Sequence, residues 1–80
     1  MKIEVLGSGC SKCKKMYELT KIAAEQLNIK DKVEYITGES GISRILELGA
    51  SSSPVISVDN RVVISGFTSD IEKIKKAIRR

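Results

Sequence analysis

The only two cysteines of the chain stand together in Cys10-Ser11-Lys12-Cys13. They follow a run of strand character, Ile3-Glu4-Val5-Leu6, and a hinge, Gly7-Ser8-Gly9. They open a helix-period stretch that continues to about Leu27. A chain with this beginning must run out along a strand, turn sharply at the glycines and enter a helix with both sulfurs in its first turn. Two cysteines at that spacing close a disulfide between neighbouring turns or present two thiols. The pattern therefore points to a redox pair or a two-thiolate metal clamp.

The position supplies the chemistry. The first N–H groups of a helix lack intrahelical partners and carry the positive end of its dipole. A thiolate there is stabilised, and the thiolate is the form that attacks disulfides or binds metal. Cys10 falls at the cap, as the more exposed sulfur expected to attack. Cys13 falls inside the turn, as the shielded sulfur expected to resolve. Lys12, Lys14 and Lys15 share this turn, where each cation opposes the dipole by a few tenths of a kcal/mol. Solvent screening accounts for any one of them. The functional alternative is that they favour the Cys10 thiolate, with Lys12 the first candidate, or attract an acidic partner surface.

Eighty residues make one domain, spanning 1–80, with one modest core. There is no histidine, which removes His-based acid–base catalysis and His metal ligands. A structural zinc site would need two further ligands, available only by dimerisation. Net charge is +4, with cations gathered at 12–21 and 73–80. The aromatics Tyr17, Tyr35 and Phe67 do not form the pattern of a stacking platform for bases, so no nucleic-acid partner is expected. No secretory leader and no membrane-length apolar run are visible, so a cytoplasmic location without membrane contact is expected. In such a compartment a Cys-x-x-Cys is more often redox-active or metal-binding than a staple. Closing so short a loop also adds little stability.

Along the chain, residues 2–6 read as a strand and 10 or 11 to about 28 as a helix, with Met16, Leu19, Ala23 and Leu27 at helical spacing. Met16 reads as core and Tyr17 as half-buried packing. Residues 33–37 read as a second strand. Residues 40–48 read as a second helix with Ile42, Ile45 and Leu46 on its buried face and Gly49 as the left-handed residue beyond its end. The only proline, Pro54, leads into a third strand at 55–58. Asp59-Asn60-Arg61 is a hairpin turn into a fourth strand at 61–65. The last helix is marked by Ser69-Asp70-Ile71-Glu72, which fits a capping box with Ser69 as cap. Its stripe is Ile71, Ile74, Ala77 and Ile78, and its basic end complements the dipole. The order is β-α-β-α-β-β-α.

That order, with Cys10-Ser11-Lys12-Cys13 after the first strand, Ser53-Pro54-Val55 opening the third and Ser65-Gly66-Phe67 before the last helix, resembles the thioredoxin fold in its glutaredoxin-sized form. The pattern is most similar to the small redox-active disulfide proteins of archaea and bacteria. The resemblance implies an α/β domain with a four-stranded mixed sheet flanked by three helices. The implied strand order is four-three-one-two, with strand three antiparallel to its neighbours. It implies a cis peptide between Ser53 and Pro54 beside the cysteines, although a proline also starts many ordinary edge strands. It further implies dithiol–disulfide exchange with Cys10 attacking, Cys13 resolving and a Cys10–Cys13 disulfide in the oxidised form. Ser53, Pro54 and Gly66 would contact the substrate. Disulfide-containing proteins would be the substrates, an upstream reductase the electron source, and the chain a monomer needing no cofactor or metal.

The departures are specific. The tetrapeptide lacks the aromatic flank of thioredoxins and the tyrosine of glutaredoxins. The acid that holds glutathione in many glutaredoxins is replaced by Thr68 and Ser69, with Asp70 one place late. Thioredoxins carry a buried acid six residues before the first cysteine, and Glu4 has that offset. The sequence alone favours a solvent-facing Glu4 beside Lys2 over a residue that tunes the thiols. The rival class is a soft-metal carrier, since small copper-chaperone domains also place Cys-x-x-Cys at this junction and thiolates suit Cu(I). Their element order is β-α-β-β-α-β, which this chain does not share.

Overall fold

A strand buried on both faces must lie inside its sheet, and two strands here meet that condition. In the computed structural model, which describes residues 2–9 and 11–79, every residue of β1 (Ile3–Leu6) and β3 (Val55–Val58) is buried. The remaining elements are α1 (Ser11–Gln26), β2 (Val33–Ile36), α2 (Gly38–Glu47), β4 (Arg61–Ser65) and α3 (Ile71–Ile78). The sheet order is β2-β1-β3-β4. β1 runs parallel to β2, and β3 runs antiparallel to both β1 and β4. This is the α/β architecture and strand order that the resemblance implied.

Alternation along the two central strands divides the side chains between two layers. Ile3, Val5, Ile56 and Val58 pack with Met16, Ala23 and Ala24 of α1 and with Ile74 and Ile78 of α3. Each fully buried isoleucine contributes about 1.5–3 kcal/mol by leaving water. The opposite face carries Leu6 and Val55 against Ile45 of α2. One helix covers this second face and two cover the first.

The chain's reversals use the residues singled out for them. Asn28 (φ 58°) ends α1, and its N–H and that of Ile29 return to Glu25 and Ala24. Gly49 (φ 80°) ends α2 in the same way, with Gly49 and Ala50 donating to Leu46 and Ile45. Both are paired closures on a left-handed residue that satisfy the last carbonyls of a helix. Asp59 and Asn60 are both left-handed, at φ 50° and 67°, and form a two-residue hairpin loop between the paired Val58 and Arg61.

Two expectations are corrected. The cap of α3 is Asp70, not Ser69: its Oδ1 accepts from the N–H of Glu72 at 3.0 Å and of Lys73 at 3.4 Å. A carboxylate is the stronger acceptor at the positive end of a helix, so the boundary moves one residue on. On α2, Ile42 and Leu46 are 40% and 66% exposed, and only Ile45 of the expected stripe is buried. The packed line runs instead through Gly41, Ile45 and Leu48. A Cβ on Gly41 would lie 2.3 Å from the Gly7 carbonyl oxygen and 2.6 Å from that of Ile36. The helix backbone therefore rests directly on the sheet at that point, and this turns the two large side chains outward.

Candidate functional site

The antiparallel register pairs Leu6 with Val55, which brings the residues just beyond them, Gly7 and Pro54, to the same end of the sheet. The first turn of α1 descends onto this spot. Gly7 makes the descent possible, because a Cβ there would stand 2.4 Å from Cys13 Sγ and 3.3 Å from Ser53 Oγ. Cys13, the third residue of α1, is 0% exposed. Its Sγ lies 3.7 Å from Ser53 Oγ, within thiol–hydroxyl hydrogen-bonding range. The Ser53–Pro54 peptide is cis and Pro54 is fully buried. The Gly66 N–H donates to the Pro54 carbonyl at 2.8 Å, with Gly66 at φ 91°. Cys13, Ser53, Pro54 and Gly66 thus converge although up to 53 positions separate them in the chain.

Cys10, and with it the Cys10–Cys13 disulfide, lies outside the described residues. Lys12 is exposed in the first turn of α1. Tyr17 stacks on Tyr35 of β2 with centroids 4.6 Å apart and planes 6° from parallel, and Lys21 Nζ lies 5.0 Å from the Tyr17 centroid. That is the packing role expected of Tyr17. The cleft beside this pair, between the later turns of α1 and the start of β2, holds none of the converging residues.

Glu4 corrects the sequence reading most sharply. It is not solvent-facing but 2% exposed, on the face of the sheet that α2 covers. Its Oε1 accepts from Ser57 Oγ at 3.1 Å and from Arg44 Nη2 at 3.2 Å, and Lys2 Nζ lies 3.8 Å from Oε2. Arg44 also hydrogen-bonds Asn60 in the hairpin loop. The loop is held from its other side by reciprocal bonds between Lys2 and Asp59, both 2.8 Å. A buried carboxylate is tolerable only with such partners. Here they join β1, β3, α2 and the hairpin loop. The sequence reading did not foresee the parts played by Arg44, Ser57, Gly7 and Gly41. The one available signal was that a parallel central strand is covered on both faces, so that no residue of it faces water.

A shielded helix-start thiol against a proline-led strand, in a β-α-β-α-β-β-α domain with this strand order, defines a thioredoxin-fold protein. The chain matches the thioredoxin domain family over residues 1–79 and belongs to that family. It is 32% identical over 78 residues to a thioredoxin of Methanothermobacter thermautotrophicus, covering 98% of this chain and 97% of that one. It is 29% identical over 77 residues to a thioredoxin of Methanocaldococcus jannaschii, covering 96% of this chain and 85% of that one. No solved structure matches. Family membership carries a coarse functional assignment, a redox protein of the thiol–disulfide oxidoreductase class. Among the described residues no helix is long and apolar enough to cross a membrane.

Proposed function

We propose that this protein reduces disulfide bonds in other proteins by dithiol exchange, with Cys10 attacking and Cys13 resolving. The observation that supports this division is the complete burial of Cys13 against Ser53 and the Gly7 backbone. A sulfur so enclosed is barred from a bulky partner and reaches only a bond formed beside it. In the first step the Cys10 thiolate attacks one sulfur of the partner disulfide. The partner bond breaks, a mixed disulfide forms, and the partner's other sulfur leaves as a thiolate and takes up a proton. In the second step Cys13, as thiolate, attacks Cys10 sulfur. The second partner sulfur leaves and is protonated, and Cys10–Cys13 is left oxidised. Two electrons and two protons pass to the partner, with no cofactor or metal in the cycle.

Ser53, Pro54 and Gly66 form the substrate rim in this reading, with the Ser53 backbone available for pairing with an extended segment of the partner. An upstream reductase, whether flavin-linked, ferredoxin-linked or replaced by glutathione, returns the pair to the dithiol. A reducing cytoplasm and a monomeric chain complete the proposal. The test is turnover of a disulfide-bridged peptide. Cys10→Ser abolishes it, and Cys13→Ser accumulates a covalent adduct that dithiothreitol releases. Turnover by Cys10→Ser would overturn the division of roles. A reduction potential as oxidising as about −120 mV, rather than the range of about −270 to −200 mV, would overturn the direction.

A further inference from the structure

Five cations of this molecule have a local structural account. Lys2 and Arg44 face Glu4, and Lys75 pairs with Glu72. Lys21 lies over the Tyr17 ring. Lys75 and Lys76 occupy the last turn of α3, where the dipole favours them. Lys12, Lys14 and Lys15 differ. All are exposed in the first turns of α1, where no acidic residue offsets them and the dipole opposes them. Among the described residues none of the three has an ion pair.

Their angular placement is informative. At about 100° per residue, Lys12, Lys14 and Lys15 lie near −100°, +100° and +200° from buried Cys13. They ring the solvent side of the helix end instead of forming one stripe. The first acid on α1, Glu18, stands three residues beyond Lys15 and four beyond Lys14, with no ion pair to either among the described residues, and Glu39 lies in the first turn of α2. The residues that meet Cys13 from the other side of the site, Ser53, Pro54 and Gly66, carry no charge. The mouth of the thiol site is therefore positive on its α1 side and neutral across from it.

We propose that this lysine ring selects partners whose disulfide is flanked by aspartate or glutamate, docked with those carboxylates over the first turn of α1. The proposal rests on the oxidoreductase reading and names the partner class of the same site. Complementary charge raises association rates by tenfold or more at low ionic strength, and the gain fades as the Debye length shrinks. The same three charges acting only on the thiols would change the rate with every substrate alike.

The experiment uses three disulfide-bridged peptides of equal length, flanked by Asp and Glu, by Ser, or by Lys. The fully reduced protein is mixed with each, and the second-order rate is read at about 20 mM and about 500 mM salt. The expected order is acidic, neutral, basic, with the acidic-to-basic ratio about tenfold or more at low salt and within about twofold at high salt. In the variant carrying Lys12→Gln, Lys14→Gln and Lys15→Gln the low-salt ratio falls toward one. A ratio unchanged in that variant, or a wild-type ratio near one, overturns the proposal while leaving the oxidoreductase reading intact. Reduction of none of the three peptides overturns both.

Discussion

Replacing Gly7 by alanine puts two opposed effects in one methyl group. Gly7 is not left-handed, so alanine can adopt its backbone without strain. Restricting the unfolded chain would by itself stabilise the protein by about 0.4–1 kcal/mol. The new Cβ, however, would lie 2.4 Å from Cys13 Sγ and 3.0 Å from Cys13 Cβ, with Ser53 Oγ at 3.3 Å. Ordinary carbon contacts begin about 1 Å farther out. Cys13 is enclosed in the first turn of α1, so relief requires the turn itself to lift. Overpacking of this kind costs about 1–3 kcal/mol, which exceeds the entropic gain. The net expectation is a loss of about 0.5–2 kcal/mol, or roughly 2–16 °C in Tm for a domain of this size. Urea titration of Gly7→Ala in the wild-type and Cys13→Ala backgrounds reads the contact directly. Removing the sulfur should recover at least about 0.5 kcal/mol of the loss. A Gly7→Ala protein as stable as wild type, or one losing the same amount in both backgrounds, would refute the claim that Gly7 is the seat of Cys13.

Arg44→Ala should destabilise by about 1–3 kcal/mol in a urea titration, because it removes a charged partner from buried Glu4. Arg44→Lys should recover only part of that loss. Asp70→Ala should lower stability by about 1 kcal/mol through loss of the α3 cap, and Ser69→Ala should stay within about 0.5 kcal/mol. On α2, Ile45→Ala should cost about 2–5 kcal/mol, whereas Leu46→Ser should stay within about 0.5 kcal/mol. Equal costs at positions 45 and 46 would contradict the observed orientation of the helix.

The features readable from sequence are those written into neighbouring residues. Asn28, Gly49 and the Asp59-Asn60 pair declare backbone reversals through residues that tolerate the left-handed region. The alternation of apolar periods declares the order of strands and helices. The Cys10–Cys13 spacing and Pro54 announced a thiol site, and the family pattern supplied the strand order that joins them. What the sequence could not declare depends on residues that meet only in three dimensions. Glu4 looked like a surface charge because its partners, Arg44 and Ser57, lie 40 and 53 positions away, and only the β1–β3 register and the seat of α2 unite them. Gly7 and Gly41 carry no side chain whose pattern could betray them, yet the first lets Cys13 sink against Ser53 and the second turns α2 on its axis. Local sequence determines where the chain bends and which residues share a face. The tertiary structure decides which face is covered, how closely backbones approach, and therefore which charge is buried and which thiol is shielded.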